Sequence, residues 1–494
     1  MNQPRPDSPT HHPSTSQSFL LRVNAAAAIC PIRGTITPAS ALLWVSSPQT
    51  CWFSEGNFAS RGAQLGTPDP LGGRKPANIE LLALDTPAAI SSHPRAAEAK
   101  LILDRTSRVL IPGLVNAHTH LDLTHIGPIE SDPAPFDPTS GFIAFIELIR
   151  SQRFTQPNDI AHSVALGARM LIQSGTIAVG DIAGTDTTGC SLTPWKVLCA
   201  SPLAGVSFTE FFGLTSSAAA TLPARLSAFF SAANQAKNAR VRLGLQPHAP
   251  YSVGPDGYAF AFDKLISGLP VSTHLAETIE EREFVTQGTG PIRDFLIKLN
   301  LASPELDSRF GLRRSPVATI MADLAAAQRT CPAADGPLLV HLADVSDADL
   351  DLLQAENCHV VYCPRSAAYF KSPAHLGPHR FETMLARGIN VCLGTDSVVN
   401  IPKADLDLRG LSVLDEARLL IATRGISRQT AIAMCTTNGA KALGLTFAGF
   451  NFEPGPLAGL IAADLHGFFP ISSTHAKVPA ADELLLLGET GINR

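Results

Sequence analysis

Hydrophobic and polar positions change their rhythm once along the chain. From about Ser18 to Leu110, short β-type runs such as "GTITPASALLWV" and "QTCWFSEG" alternate with turn-rich stretches, and "LGTPDPLGGRKPAN" reads as a loop. After Ile111, short apolar runs ending in polar residues alternate with amphipathic helical stretches. Eight such runs follow in order: "RVLIPGLVNAHTH", "GTIAVGDI", "LAGVSFTEF", "VRLGLQPHAP", "LPVSTHLAE", "PLLVHLAD", "HVVYCPRS" and "INVCLGTDS". Between them lie helical stretches such as "DIAHSVALGARMLIQSG" and "SDADLDLLQAEN". The second opens on Ser346 with Asp349 three residues on, a variant of the capping box. "HRFETMLARG" ends at Gly388, the usual place for a helix stop.

Eight strands alternating with helices predict an α/β fold, a (β/α)8 barrel over residues 111–445. The region 303–335 is longer than a simple helical connection and reads as an insertion, and "RQTAIAMCTTNGAKALGL" reads as one helix. The tail "PGPLAGLIAADLHGFFPIS" returns to strand character, so residues 18–110 and 446–494 are expected to pair into a small β-sandwich beside the barrel. Residues 1–17 are rich in Pro, Ser and Thr and are expected to be disordered. "SFLLRVNAAAAICPI" has the apolarity of a signal-peptide core. An Arg and an Asn interrupt it, however, and no cluster of positive charge precedes it, so it reads as a strand. No run approaches the length of a membrane span.

Composition narrows the classes further. A chain of 494 residues, 45% hydrophobic and 16% charged, can bury a large core. A net charge of −5 without basic patches or charge blocks gives no footprint for nucleic acid or a membrane surface. Nine cysteines with no C-x-x-C pair suggest reduced thiols in a cytoplasmic protein.

In such a barrel the chemistry sits at the C-terminal ends of the strands. The polar residues placed there are His118 and His120 on strand one, Asp181 on two, Glu210 on three and His248 on four. His274 and Glu277 follow on five, His341 on six, Arg365 on seven and Asp396 on eight. Strand residues i and i+2 point to one side, so His118 and His120 both face the barrel mouth. His274 and Asp396 can converge there from other strands. Three imidazoles and a carboxylate suit zinc or another first-row metal, with a position left for water. His11, His12, His125, His375 and His379 lack this placement and read as structural or solvated.

The motifs "PGLVNAHTHLDLT", "SGTIAVGDI", "PHAPYSV", "THLAET", "LVHLAD", "CPRS", "LGTDS" and "MCTTNGAKALGL" resemble those of the amidohydrolase superfamily, in order and spacing, over about 330 residues. The resemblance is to its branch of aminohydrolases acting on adenosine-like, guanine-like or triazine-type substrates. It implies a distorted barrel with a sandwich built from both chain ends. It implies metal ligation by His118, His120, His274 and Asp396, a proton shuttle at Glu277, His341 orienting or deprotonating the water, and a substrate contact at His248. The ion implied is a single divalent one, Zn2+ with Fe2+ or Mn2+ as alternatives, because strand four carries no lysine to bridge two metals. "HLDLTHIGPIE…SGFIAFIELIRSQR" is similar to a less characterised branch, in which an acidic residue follows H-T-H-L and a Phe-containing helix leads to an Arg. That branch includes proteins proposed to deaminate aminodeoxyfutalosine. Ser366 is followed here by Ala367 where many relatives carry Asn.

The remaining residues have two readings each. Arg365 suits a clamp on a substrate carboxylate or phosphate, or a structural salt bridge. Glu210 suits a bond to a substrate hydroxyl, or a capped loop carboxylate. His248 either touches substrate or shapes a loop. Asp181 reads as a brace behind a metal-binding histidine. The activity implied is hydrolytic deamination of a small heterocycle by hydroxide held on the metal, with release of ammonia, in a monomer or homo-oligomer. Dechlorination, amide cleavage or a non-catalytic scaffold are the alternatives.

Overall fold

Pro112 and Gly113 divide the first apolar run between two layers of the molecule. A computed structural model describes residues 18–46, 78–129, 141–186, 189–235, 239–327, 335–468 and 482–487. The expected tail 1–17, the β-type run 49–56 and all but the last residue of the loop 65–78 lie outside them. The described strands are β1 (Phe19–Cys30), β2 (Gly34–Ile36), β3 (Ala39–Ser46), β4 (Asn78–Asp85) and β5 (Ala99–Pro112). Then come β6 (Leu114–Thr119), β7 (Thr176–Ala183), β8 (Ala204–Phe211), β9 (Val241–Pro247), β10 (Ser272–Leu275), β11 (Leu338–His341), β12 (His359–Tyr362) and β13 (Asn390–Leu393). β14 (Gly455–Pro456), β15 (Gly459–Asp464) and β16 (Glu483–Leu487) complete the set.

Each of the eight apolar runs contains one of the strands β6–β13. They form two parallel four-stranded sheets, β6-β7-β8-β9 and β10-β11-β12-β13. Parallel bridges at Leu245–Val271 and Thr119–Asp396 join the two sheets at both edges, giving a TIM-like α/β fold. The first run was read as one strand. Its front half, up to Pro112, instead belongs to β5, which pairs antiparallel with β15.

Strands from both chain ends share a single outer sheet, ordered β14-β4-β3-β1-β5-β15-β16 with β2 on β1. The two-residue period lets three of its strands serve two cores. Ala27 and Ile29 of β1, Val109 and Ile111 of β5, and Ile461 and Ala463 of β15 join the barrel core. Their neighbours Ala28, Cys30, Leu110, Leu460 and Ala462 join the core of the sheet. This is why "NAAAAIC" is apolar without alternation: both faces are buried.

One helical expectation needs correction. "RQTAIAMCTTNGAKALGL" forms two helices, Arg428–Met434 and Thr437–Ala442. The break falls where the Cys435 carbonyl accepts the N–H of Val115 on β6, at 2.8 Å, instead of continuing the helix. The Thr436 hydroxyl meanwhile donates to the Ile432 carbonyl at 2.6 Å. The region read as an insertion holds the helices Pro304–Arg309 and Pro316–Ala327, with residues 328–334 outside the described set. Among the described residues no helix is long and apolar enough to cross a membrane, and the seven described cysteines are free thiols.

Candidate functional site

Barrel closure and site assembly are one event. Thr395 and Asp396 both donate their N–H to the His118 carbonyl, at 3.1 Å each, and His120 donates its own to the Asp396 carbonyl at 2.6 Å. Gly394 permits this approach, since a Cβ there would lie 2.8 Å from the His118 carbonyl oxygen. Three site residues that follow or end strands take the left-handed backbone: Ala276 (φ +53°), His341 (φ +80°) and Asp396 (φ +62°). For residues with a side chain this costs energy, and it clusters at functional sites.

Four donor atoms from β6, β10 and the end of β13 converge. His120 Nε2 and His274 Nε2 are 3.3 Å apart. Asp396 Oδ1 is 3.5 Å from His118 Nε2 and 3.7 Å from His120 Nε2. Donors about 2.0–2.1 Å from a tetrahedral zinc lie about 3.3–3.4 Å from one another, so the spacing fits such an ion. The tautomers fit too. His274 Nδ1 donates to the His248 carbonyl at 3.0 Å, which leaves the Nε2 lone pair pointing inward. Both ring nitrogens of His118, and Nδ1 of His120, are buried without a hydrogen-bond partner. Orphaned buried nitrogens are costly, and a cation at the centre would satisfy those that face it.

The second half of the site stands across from this cluster. Glu277 Oε1 is 3.5 Å from His341 Nε2. Burial, and after it Asp396 and Glu281, push the Glu277 carboxyl well above its ordinary range. Burial pushes His341 down to about 3, so its ring is neutral at neutral pH. Burial alone would raise Asp396, but the His118, His341 and His120 rings more than offset it and hold the carboxyl below the usual range. The Ser366 hydroxyl donates to Asp396 Oδ2 at 2.7 Å, and His379 Nε2 donates to the strained His341 carbonyl at 2.8 Å.

These groups open onto a cavity of about 670 Å³. One wall is apolar, with Phe142, Phe145 and Ile146 from the helix Gly141–Gln152, together with Tyr251, Leu296 and Phe370. His248 and Glu210 line it as well. His248 Nδ1 lies 2.7 Å from the Ser252 hydroxyl, and burial holds that imidazole down to about 3. Glu210 accepts from Arg153 Nη1 at 3.1 Å, and Arg153 Nε donates to Asp122 Oδ2 at 2.8 Å.

Two expected placements fail. Arg365 does not line the cavity. Its guanidinium pairs with Glu416 and Asp405, at 3.1 Å each, the salt-bridge arrangement among its two readings. The reason is the fully buried Glu416 on the helix Val413–Arg424, which also accepts the Arg365 N–H at 2.9 Å. Asp181 braces no histidine ring. It accepts the N–H of Leu121, the residue after His120, at 3.3 Å, and thus supports the chain rather than the imidazole. Sequence reasoning gave no role to Arg153 or Asp122, noted only through a branch resemblance. It missed Glu281 altogether, although Thr278-x-x-Glu281 has the pattern of a capping box.

The sequence model of the amidohydrolase family matches residues 109–483. A 5-methylthioadenosine/S-adenosylhomocysteine deaminase of Dictyoglomus thermophilum is 27% identical over 387 residues, 75% of this chain and 77% of that one. The structure of Helicobacter pylori aminofutalosine deaminase in complex with methylthio-coformycin superposes with a TM-score of 0.64 at 20% identity, covering 95% of this chain and 100% of that one. A Xanthomonas campestris adenosine deaminase with bound zinc gives a TM-score of 0.59 at 17% identity, covering 92% and 87%.

Proposed function

The chain belongs to the amidohydrolase family, and from that premise we propose that it hydrolytically deaminates an amino-substituted heterocycle of purine or nucleoside type, releasing ammonia. The observation that carries the reading is the convergence of three imidazole Nε2 atoms and the Asp396 carboxylate, with the Glu277 carboxyl, which burial pushes well above its ordinary range, across from them. His118, His120, His274 and Asp396 would hold one divalent ion, zinc by our reading, since the same donors also accept iron(II) or manganese(II). When bound, such an ion supplies Lewis acidity that brings the pKa of a water to about 7.

The chain's own groups do the rest. Glu277 gives its proton to the ring nitrogen beside the carbon under attack, so that negative charge does not build on the ring. Asp396 takes a proton from the attacking water, and neutral His341 orients that water. Asp396 passes its proton to the departing amine, and Glu277, now anionic, collects the proton of the new hydroxyl and is restored. Water and amine thus become lactam and ammonia. His248 and Glu210 line the cavity and would contact the substrate beside the ligands of the ion. The apolar wall of Phe142, Phe145, Ile146 and Phe370 suits a substituent beyond the base, as in the methylthioadenosine and aminofutalosine for which the relatives are named.

The test is ammonia release measured with the ultraviolet change of the ring, over a panel of aminated purines and nucleosides. Glu277→Gln keeps the shape and loses the proton, so kcat should fall by about 10²–10⁴-fold with metal content unchanged. Turnover that releases chloride, or opens the ring without ammonia, would sink the deaminase reading.

A further inference from the structure

Four residues past Glu277 lies a second buried carboxylate that the proposed reaction does not use. Glu281 is the third residue of the helix Ile279–Gln287 and is fully buried. Its backbone N–H reaches the Thr278 hydroxyl at 3.3 Å, as in an ordinary N-cap. Its side chain departs from the usual pattern. In a capping box that carboxylate turns back to the N–H of the cap residue itself. Here Oε1 accepts from Ala276 N at 2.9 Å and Oε2 from Glu277 N at 2.8 Å, two residues and one residue further back. The turn so held is the left-handed one, with φ of +53° at Ala276. The carbonyl sides are held as well. Ala276 O accepts from Ala343 N at 2.8 Å, and the Ser372 hydroxyl donates to the Glu277 carbonyl at 3.2 Å. Glu277 is therefore gripped through both its N–H and its C=O, and its side chain ends 3.5 Å from His341 Nε2. Starting the helix would require neither carboxylate oxygen to reach past Thr278.

We propose that Glu281 is a positioning residue for the reaction: its carboxylate fixes the turn at Ala276 and thereby aims the Glu277 carboxyl at His341 and the reacting ring. This rests on Glu277 being the proton shuttle. A group misplaced by about 1 Å can cost 10²-fold in rate.

A double-mutant cycle in the metal-loaded enzyme tests it. Glu281→Gln keeps the volume but offers one acceptor, and turns an NH2 group toward the other backbone N–H. Its kcat should fall about 10- to 100-fold, with KM and metal content unchanged. In a Glu277→Gln background the same change should cost no more than about twofold, because no proton remains to be aimed. A normal kcat for Glu281→Gln, or equal losses in both backgrounds, overturns the positioning role. An unimpaired Glu277→Gln single variant overturns the shuttle, and the positioning role with it. Should Glu281→Gln fail to fold, Ser372→Ala carries the same cycle from the carbonyl side. A loss confined to the Glu277 background supports the proposal, and equal losses or none overturn it.

Discussion

Buried charge gathers both at the barrel mouth and at the seam between barrel and outer sheet, and the two places follow opposite rules. At the seam, Arg418 of the helix Val413–Arg424 uses every guanidinium nitrogen. Nε donates to the His466 carbonyl at 3.1 Å, and Nη1 to Asp415 and Asp482 at 2.8 Å each. Nη2 donates to the Asp464 carbonyl at 3.2 Å and to Asp482 at 2.7 Å. Asp482, just before β16, also takes the Asp464 N–H on β15 at 2.8 Å. At the mouth, His118 Nδ1 and Nε2, His120 Nδ1 and Asp122 Oδ1 are buried without partners. Arg153 makes two hydrogen bonds where Arg418 makes five. Native structures satisfy nearly all buried polar atoms, and the exceptions call for a reason. The Arg418 guanidinium is satisfied within the chain, although Nε of the neighbouring Arg409 is not, whereas the mouth leaves several ring nitrogens open to an ion it would bind.

The strongest way to break this contrast is to remove a ligand from the mouth. His274→Ala and Asp396→Asn should each abolish turnover, and His274→Ala should also lower the metal retained, read by elemental analysis of purified protein. About one equivalent of divalent metal is expected in the wild type. In metal-stripped protein the melting temperature of His274→Ala should move far less than that of any seam variant. Full metal with normal activity in either variant would show that these atoms are not the binding centre.

The converse change is made at the seam. Arg418→Ala leaves Asp482 buried without its cation and Asp415 with only the 3.5 Å contact to Arg409, and breaking a buried pair in this way typically costs about 3–5 kcal/mol. Denaturant titration should show that loss, while kcat per folded molecule stays at the wild-type value. A variant of unchanged stability, or one that folds fully but turns over slowly, would erase the distinction between the two clusters.

The same contrast explains what could be read ahead of the structure. Strands β6–β13 were legible because a strand covered on both faces is a short continuous apolar run, and a polar residue at its end has nowhere to go but the mouth. His118 and His120 followed from the period of two. Features set by distant partners were not legible. Arg365 follows its strand as the site residues do, yet Glu416, fifty-one residues on, turns it away. Nothing local in "RVLIPGLVNAHTH" marks where β5 ends, since that boundary is set by pairing with β15. Glu281 looks like a helix cap until the left-handed Ala276 brings two further N–H groups within its reach.

The smallest effect tests whether the mouth carries a stability cost that the seam does not. Asp181 is fully buried beneath His120, and burial, then the neighbouring Asp122, pushes its carboxyl up to about 8. It is therefore neutral in the folded protein across the neutral range and ionised in the unfolded chain above about pH 4. Between those values the unfolded chain binds fewer protons, so stability falls as pH rises. The contribution is fully present below the unfolded pKa and is lost as pH climbs through the folded one. Asp181→Asn copies the protonated acid. Its carbonyl can accept the Leu121 N–H, and its NH2 can donate to the Ser207 hydroxyl, now 3.3 Å from Oδ2. Melting temperatures followed from pH 5 to pH 8 in metal-stripped protein should fall more steeply for the wild type than for Asp181→Asn. The two curves should meet toward the acid end, with the variant higher at pH 8. Parallel curves would mean that Asp181 is ionised in the fold and compensated like Asp482. The mouth would then be as well paired as the seam on that side of His120.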